Sequence, residues 1–131
     1  FCLSRGLGDV YKRQLENIQI KNRLTDACSE AEIRRRLEAL EIGHKADAPA
    51  GLLSIGQQQR VAIVRALCQP FDFLILDEPV SHLDRRNNLI VAEIIAQAAR
   101  EADAAVITTS VGNPLLLSDI DAAPLINTLK L

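Results

Sequence analysis

Two adjacent carboxylates, Asp77 and Glu78, close a short, almost wholly apolar run from Phe71 to Leu76, and Pro79 follows at once. Such a run predicts a strand buried on both faces of a parallel sheet. In open α/β sheets ligands gather beyond the carboxyl ends of the strands, so acids placed there are candidates for chemistry. Side chains alternate along a strand, so the two acids need not serve one partner. Asp77 can hold a hard cation such as Mg2+ through oxygen, by way of water, because magnesium keeps much of its hydration. Glu78 can orient an attacking water and take its proton. The tetrapeptide Leu-Asp-Glu-Pro is also an ordinary soluble strand end, and alone it does not decide between the readings.

A second group precedes the strand. Ser54, Gly56 and Gln57 stand at the mouth of a helix reaching to about Cys68, with Val61, Ile63, Val64 and Leu67 as its apolar residues. A hydroxyl, free backbone N–H groups and the positive end of a helix dipole can together grip a phosphate. An ordinary N-cap uses the same residue types. Asp84 opens the next helix and can likewise be only its N-cap. His82, in the turn between, has no partner visible in sequence and reads as an exposed loop residue.

The elements that must position these groups follow from spacing. Leu15 to Leu24 mixes apolar and polar residues without a clean period. Ser29 and Glu32 form a capping-box pattern ahead of Ile33, Leu37 and Leu40 at helical spacing, and Gly43 can end that helix in a left-handed cap. The Arg34–Arg36 run, beside Glu30, Glu32 and Glu38, predicts a salt-bridged, solvated face. His44 to Leu52 is loop, punctuated by Pro49 and Gly51. After the acids, Arg85 to about Ala102 predicts a long helix with Leu89, Ala92, Ile95 and Ala99 on one face. Ala104 to Thr109 predicts a second buried strand, Gly112-Asn113-Pro114 a turn, and Pro124 to Leu131 a final edge strand. Alternating helix and strand implies right-handed parallel crossovers and an α/β layered fold.

Composition narrows the class further. The chain has 131 residues, 48% apolar and 24% charged, as in an ordinary soluble domain or a piece of one. A net charge of −2 gives no electrostatic case for a nucleic-acid partner. Cys2, Cys28 and Cys68 are scattered and odd in number, which suggests neither a disulfide framework nor a metal site. The absence of methionine, and Phe1 as first residue, predict a fragment. Residues 1–14 show no apolar period. Gly8 to Gln14 back-translates as GGA GAT GTG TAT AAG AGA CAG, which looks like a transposon mosaic-end adaptor from library construction. The segment is therefore expected to be foreign, and neither Lys12 nor Gln14 is credited with a role.

Taken in order, these motifs resemble one family, the ATP-binding cassette (ABC) ATPases that power ABC transporters. Leu53-Ser54-Ile55-Gly56-Gln57 is similar to that family's Leu-Ser-Gly-Gly-Gln signature, and Gln58 to Leu67 to the helix after it. Phe73 to Pro79 resembles the Walker B strand with its catalytic glutamate, and Ser81-His82-Leu83-Asp84 the D-loop. The resemblance implies a partial P-loop NTPase fold. A helical subdomain (15–55) would precede the signature helix and the parallel-sheet half of the catalytic core (56–131). It implies ATP and Mg2+ as cofactors and a head-to-tail dimer with a second ABC cassette. Ser54, Gly56 and Gln57 would hold the γ-phosphate of ATP bound to the partner. At the chain's own site Asp77 would assist magnesium and Glu78 would act as general base, while Asp84 would couple the sites. A transmembrane permease would hold the subunit at the inner face of the membrane, on the cytoplasmic side. The short C-terminus resembles compact cassettes of the lipoprotein-release and macrolide-efflux type.

Three departures stand out. Ile55 replaces a glycine of the signature, and a β-branched residue does not take positive φ cheaply. The family's switch histidine falls, counting from Glu78, at Val111, with Ser110 the nearest polar substitute. No Gly-x-x-x-x-Gly-Lys-Ser/Thr loop occurs in the chain, and the Q-loop would lie upstream of Leu15. The 131 residues alone are therefore expected to bind ATP negligibly and to expose an apolar sheet edge. A non-transport ABC ATPase of repair or ribosome function, or a degenerate regulatory cassette, are the alternatives.

Overall fold

The computed structural model describes residues 2–3 and 13–120. In chain order the elements are β1 (Cys2–Leu3), α1 (Gln14–Thr25), α2 (Glu30–Ala39), α3 (Ile55–Leu67), β2 (Phe73–Asp77), α4 (Arg85–Ala102) and β3 (Ala105–Thr109). Short 3-10 turns occupy Gly43–Lys45, Ala50–Leu52 and Leu117–Asp119. The strands lie parallel in the order β1-β2-β3, with Phe73 opposite Ala105 and Asp77 opposite Thr109. The α/β architecture expected from the alternation of elements is present. The edge strand expected from Pro124 to Leu131 lies outside the described residues.

Helix α1 is a correction, because no helix was expected between Leu15 and Leu24. Its buried face carries Leu15 and Ile18 together with the amides Gln14, Asn17 and Asn22, so polar side chains interrupt the apolar period. Asn22 repays its burial: its side chain accepts from Cys28 N–H at 2.9 Å and donates to Cys28 C=O at 2.5 Å, pinning the loop into α2. That loop places the Cys28 thiol against Cys68 at the end of α3, both thiols free and buried. Burial and the neighbouring thiol push Cys68 up to about 12.

Helix α2 starts as expected but ends differently. Ser29 Oγ accepts from Glu32 N–H at 3.2 Å, while the Glu32 carboxylate turns to Arg35 and Arg36 and leaves the capping box half made. The left-handed residue after the helix is Glu41 (φ 59°), not Gly43. Gly43 answers to packing instead, since a Cβ there would sit 2.5 Å from Glu38 Cγ and 3.2 Å from Glu38 Cα. The arginine run pairs as expected, Arg34 with Glu30 and Arg35 and Arg36 with Glu32.

Helices α3 and α4 match their expected spans, and their apolar faces pack with Leu74 and Leu76 in one continuous core. Each fully buried leucine contributes on the order of 1.5–3 kcal/mol. The strands correct a second expectation. Burial alternates along β2, leaving Phe73 59% and Ile75 39% exposed, and β3 leaves Ile107 50% exposed. Helices cover one face of the sheet, and among the described residues nothing covers the other.

Candidate functional site

The site begins where β2 ends. Glu78 N–H donates to Thr109 C=O at 3.1 Å, extending the β2–β3 ladder one residue beyond Asp77. The backbone then turns sharply, with Glu78 at φ 50°, a left-handed conformation costly for a residue with a Cβ. Such a conformation persists only where surrounding contacts fix it, and several do. Val111 N–H donates to Glu78 Oε1 at 2.7 Å, and Thr109 Oγ1 donates to Asp77 Oδ1 at 2.5 Å. Thr109 at the end of β3 and Val111 just beyond it thus clasp both acids.

The turn after Glu78 is held from two sides. Asn113 Nδ2 donates to Val80 C=O at 2.7 Å and Leu83 C=O at 3.1 Å, and Asn88 Nδ2 donates to Asn113 Oδ1 at 3.3 Å. From α3, Gln59 Nε2 donates to Ser81 Oγ at 2.9 Å while Gln59 Oε1 accepts from His82 N–H at 3.3 Å. His82 is exposed, as expected, with its Nδ1 3.0 Å from Ser81 Oγ. Gly56 packs against the same turn: a Cβ there would lie 3.2 Å from both His82 O and Leu83 Cδ2. The need for glycine at this position is close approach.

Ser54 and Gln57 form a reciprocal capping box. Ser54 Oγ accepts from Gln57 N–H at 3.2 Å, and Gln57 Oε1 accepts from Ser54 N–H at 3.0 Å. Ile55 is the first residue of α3 with its side chain largely exposed, and its φ is not positive. The expected backbone penalty at this position is therefore absent. Asp84 caps α4 by accepting from Asn87 N–H at 2.8 Å, and that bond, with a second from the Asn87 side chain, lowers its pKa. Arg60 bridges the layers, donating to Leu40 C=O and Asn87 Oδ1, each at 2.8 Å, and burial lowers its pKa.

The structure brings Asp77 and Glu78 together with Val111, while Ser110 is exposed beside them. Among the described residues no hydrogen bond joins Ser54, Gly56 or Gln57 to either acid. Sequence reasoning missed Thr109, Gln59 and Asn113. Of these only Asn113, between Gly112 and Pro114, carried a local turn signal.

Asp77 is exposed at the strand end, and no group of three or more His, Cys, Asp or Glu that could hold a metal occurs among the described residues. A single exposed carboxylate would suit only a hydrated Mg2+, which keeps much of its water shell and so asks few ligands of the protein.

A parallel sheet with acids at a strand end, preceded by a capped helix and followed by an acidic turn, defines the class. The family model described as ABC transporter matches residues 5–81, more than half of the chain, which therefore belongs to that family. The lipoprotein-releasing system ATP-binding protein LolD 2 of Caulobacter vibrioides is 42% identical over 82 residues, 62% of this chain and 36% of that protein. The macrolide export ATP-binding/permease protein MacB of Campylobacter jejuni is 37% identical over 76 residues, 58% of this chain and 12% of that protein. An ATP-binding cassette of an ABC transporter, solved in its ADP conformation, aligns with TM-score 0.64 at 20% identity, over 92% of this chain and 53% of that one. The chain thus spans about a third or less of the length of the two sequence relatives. Both relatives are named as ATP-binding proteins, one of a lipoprotein-releasing system and one of macrolide export.

Proposed function

We propose that the chain is part of the ATP-hydrolysing subunit of an ABC transporter, with Glu78 as general base and Asp77 assisting magnesium. The observation that carries the reading is the Asp77–Glu78 pair at the C-terminal end of β2. Glu78 is held there in a left-handed turn by Val111 N–H and the Thr109 carbonyl. A carboxylate oriented by fixed donors, rather than free to rotate, is suited to taking a proton from a placed water. Bound magnesium would neutralise charge developing on the transferred phosphoryl group.

In this reading Ser54 Oγ, the α3 N-terminus and Gln57 meet the γ-phosphate of ATP held by a second cassette. Gly56 lets α3 lie close to the 78–84 turn, and Asp84 couples the two sites. Val111 occupies the switch-histidine position and restrains Glu78 through its main chain, with Ser110 as the available hydroxyl. The phosphate loop is supplied from outside these residues, so the 131 residues alone bind ATP negligibly and do not hydrolyse it. A permease holds the whole protein on the cytoplasmic face of the membrane. Among the described residues no helix is long and apolar enough to cross it. Residues 1–14 are adaptor-derived, and domains 15–55 and 56–131 are the helical subdomain and the core half.

The test uses the whole protein that carries this stretch. Glu78→Gln should lower kcat about a hundredfold or more while ATP still binds and still drives dimerisation, measured by phosphate release and light scattering. Full activity in Glu78→Gln, or an inactive wild type, overturns the assignment.

A further inference from the structure

The hydrogen bonds between α3 and the 78–84 turn all run, among the described residues, through one side chain, Gln59. Its amide is used at both ends. Nε2 donates to Ser81 Oγ at 2.9 Å and to Glu78 C=O at 3.4 Å, and Oε1 accepts from His82 N–H at 3.3 Å. Gly56 lies on the same helix face three residues earlier and touches the same turn, so the first two turns of α3 and the acidic turn are packed as well as bonded. The conformation that Gln59 fixes is the costly one, since Glu78 holds φ 50° and its carbonyl is one of the acceptors. Asn113 supports the turn from the opposite side but reaches neither Glu78 nor α3.

We infer that Gln59 is a positioning residue that ties the Ser54–Gln57 end of α3 to the backbone of Glu78, so that displacement of α3 at one nucleotide site re-aims the carboxylate of the other. It joins two groups that otherwise share no hydrogen bond. One is the phosphate-gripping helix end that serves a partner's nucleotide. The other is the base that serves the chain's own. Gln59 touches no reacting atom; it acts through Glu78, Ser81 and His82. The inference rests on the reading of Glu78 as general base.

The experiment compares Gln59→Leu, Gln59→Glu, Ser81→Ala and Gln59→Leu/Ser81→Ala in the whole protein. Leucine removes all three hydrogen bonds. Glutamate keeps an acceptor for His82 N–H and can accept from Ser81 O–H. Gln59→Leu should speed amide hydrogen exchange at His82 about tenfold or more, while Gln59→Glu stays within about twofold of wild type. In steady-state hydrolysis Gln59→Leu should lower kcat about tenfold or more and leave KM for ATP within about twofold. Adding Ser81→Ala to Gln59→Leu should cost less than Ser81→Ala costs alone, because the Gln59 bond is already lost and only the contact of Ser81 Oγ with His82 Nδ1 remains. Unchanged exchange in Gln59→Leu, parallel changes in kcat and KM, or additive losses in the double variant would overturn the inference. A wild type that binds but does not hydrolyse ATP removes the general-base reading, and with it the coupling role. Exchange at His82 separates that failure from failure of the clasp.

Discussion

Gln14 shows how much one side chain can say about a position. It is the first residue of α1 and fully buried. Its backbone N–H donates to Ala48 C=O at 3.2 Å, yet neither side-chain Nε2 nor Oε1 finds a partner among the described residues. Leaving a buried polar group unpaired costs about 1–3 kcal/mol. Gln14→Leu should therefore stabilise the chain by about 1–3 kcal/mol, seen as a higher urea midpoint with unchanged slope. A lower midpoint would mean that the amide has a partner and belongs where it is. The measurement bears on the proposal that residues 1–14 are foreign, since a misplaced residue leaves its polar atoms orphaned. At this scale the caps were legible: Ser54 and Asp84 do what their types and places imply. Glu78 at φ 50° was not, because nothing in an Asp-Glu-Pro string encodes a left-handed glutamate. Its conformation is imposed by Thr109, Val111 and Gln59, which are distant in sequence.

Helix α2 carries a pH dependence that belongs to the element. Glu32 takes two bonds from Arg35, at 2.9 and 2.8 Å, and one from Arg36 at 2.9 Å. The Arg35 bonds first, and then Arg36, bring its pKa down to about 2, against the cost of its partial burial. A carboxyl depressed in the folded state contributes stability above its unfolded value near 4.5 and loses it as pH falls through about 2. Urea midpoints should therefore drop between those values, and Glu32→Gln should flatten that drop. An equal slope in both proteins would show that the Glu32 pairs contribute nothing. Arg36 adds a tertiary reach, donating to Leu67 C=O at 2.6 Å, so the effect extends to the α2–α3 contact. The arginine run, α3 and α4 were readable because charge spacing and apolar period both speak of helices. Helix α1 was not, because its buried face is part amide. The strands were read as buried on both faces because apolar runs are silent about which layers are present.

At the scale of the whole molecule, helices cover one face of the sheet, while on the other Phe73, Ile75 and Ile107 stay substantially exposed among the described residues. Phe73 and Ile75 face outward with their register partners Ala105 and Ile107, and the outer edge of β3 has no neighbouring strand among the described residues. Exposed apolar sheet beside an open edge invites pairing with another copy. The 131-residue chain should therefore self-associate at micromolar concentration, and Phe73→Lys with Ile107→Thr should shift it toward monomer without lowering its urea midpoint. Sedimentation velocity reads the first outcome and urea titration the second. A monomeric starting chain, or an unchanged distribution in the double variant, counts against the reading. The same pair of changes separates a surface from an interior. If the proposed remainder of the cassette covers this face in the whole protein, the lysine is buried there without a partner, at a cost of several kcal/mol. The double variant should then lower the midpoint of the whole protein while leaving that of the chain unchanged. Equal, negligible effects in both would mean that the face is solvent in each, and that nothing layers against it.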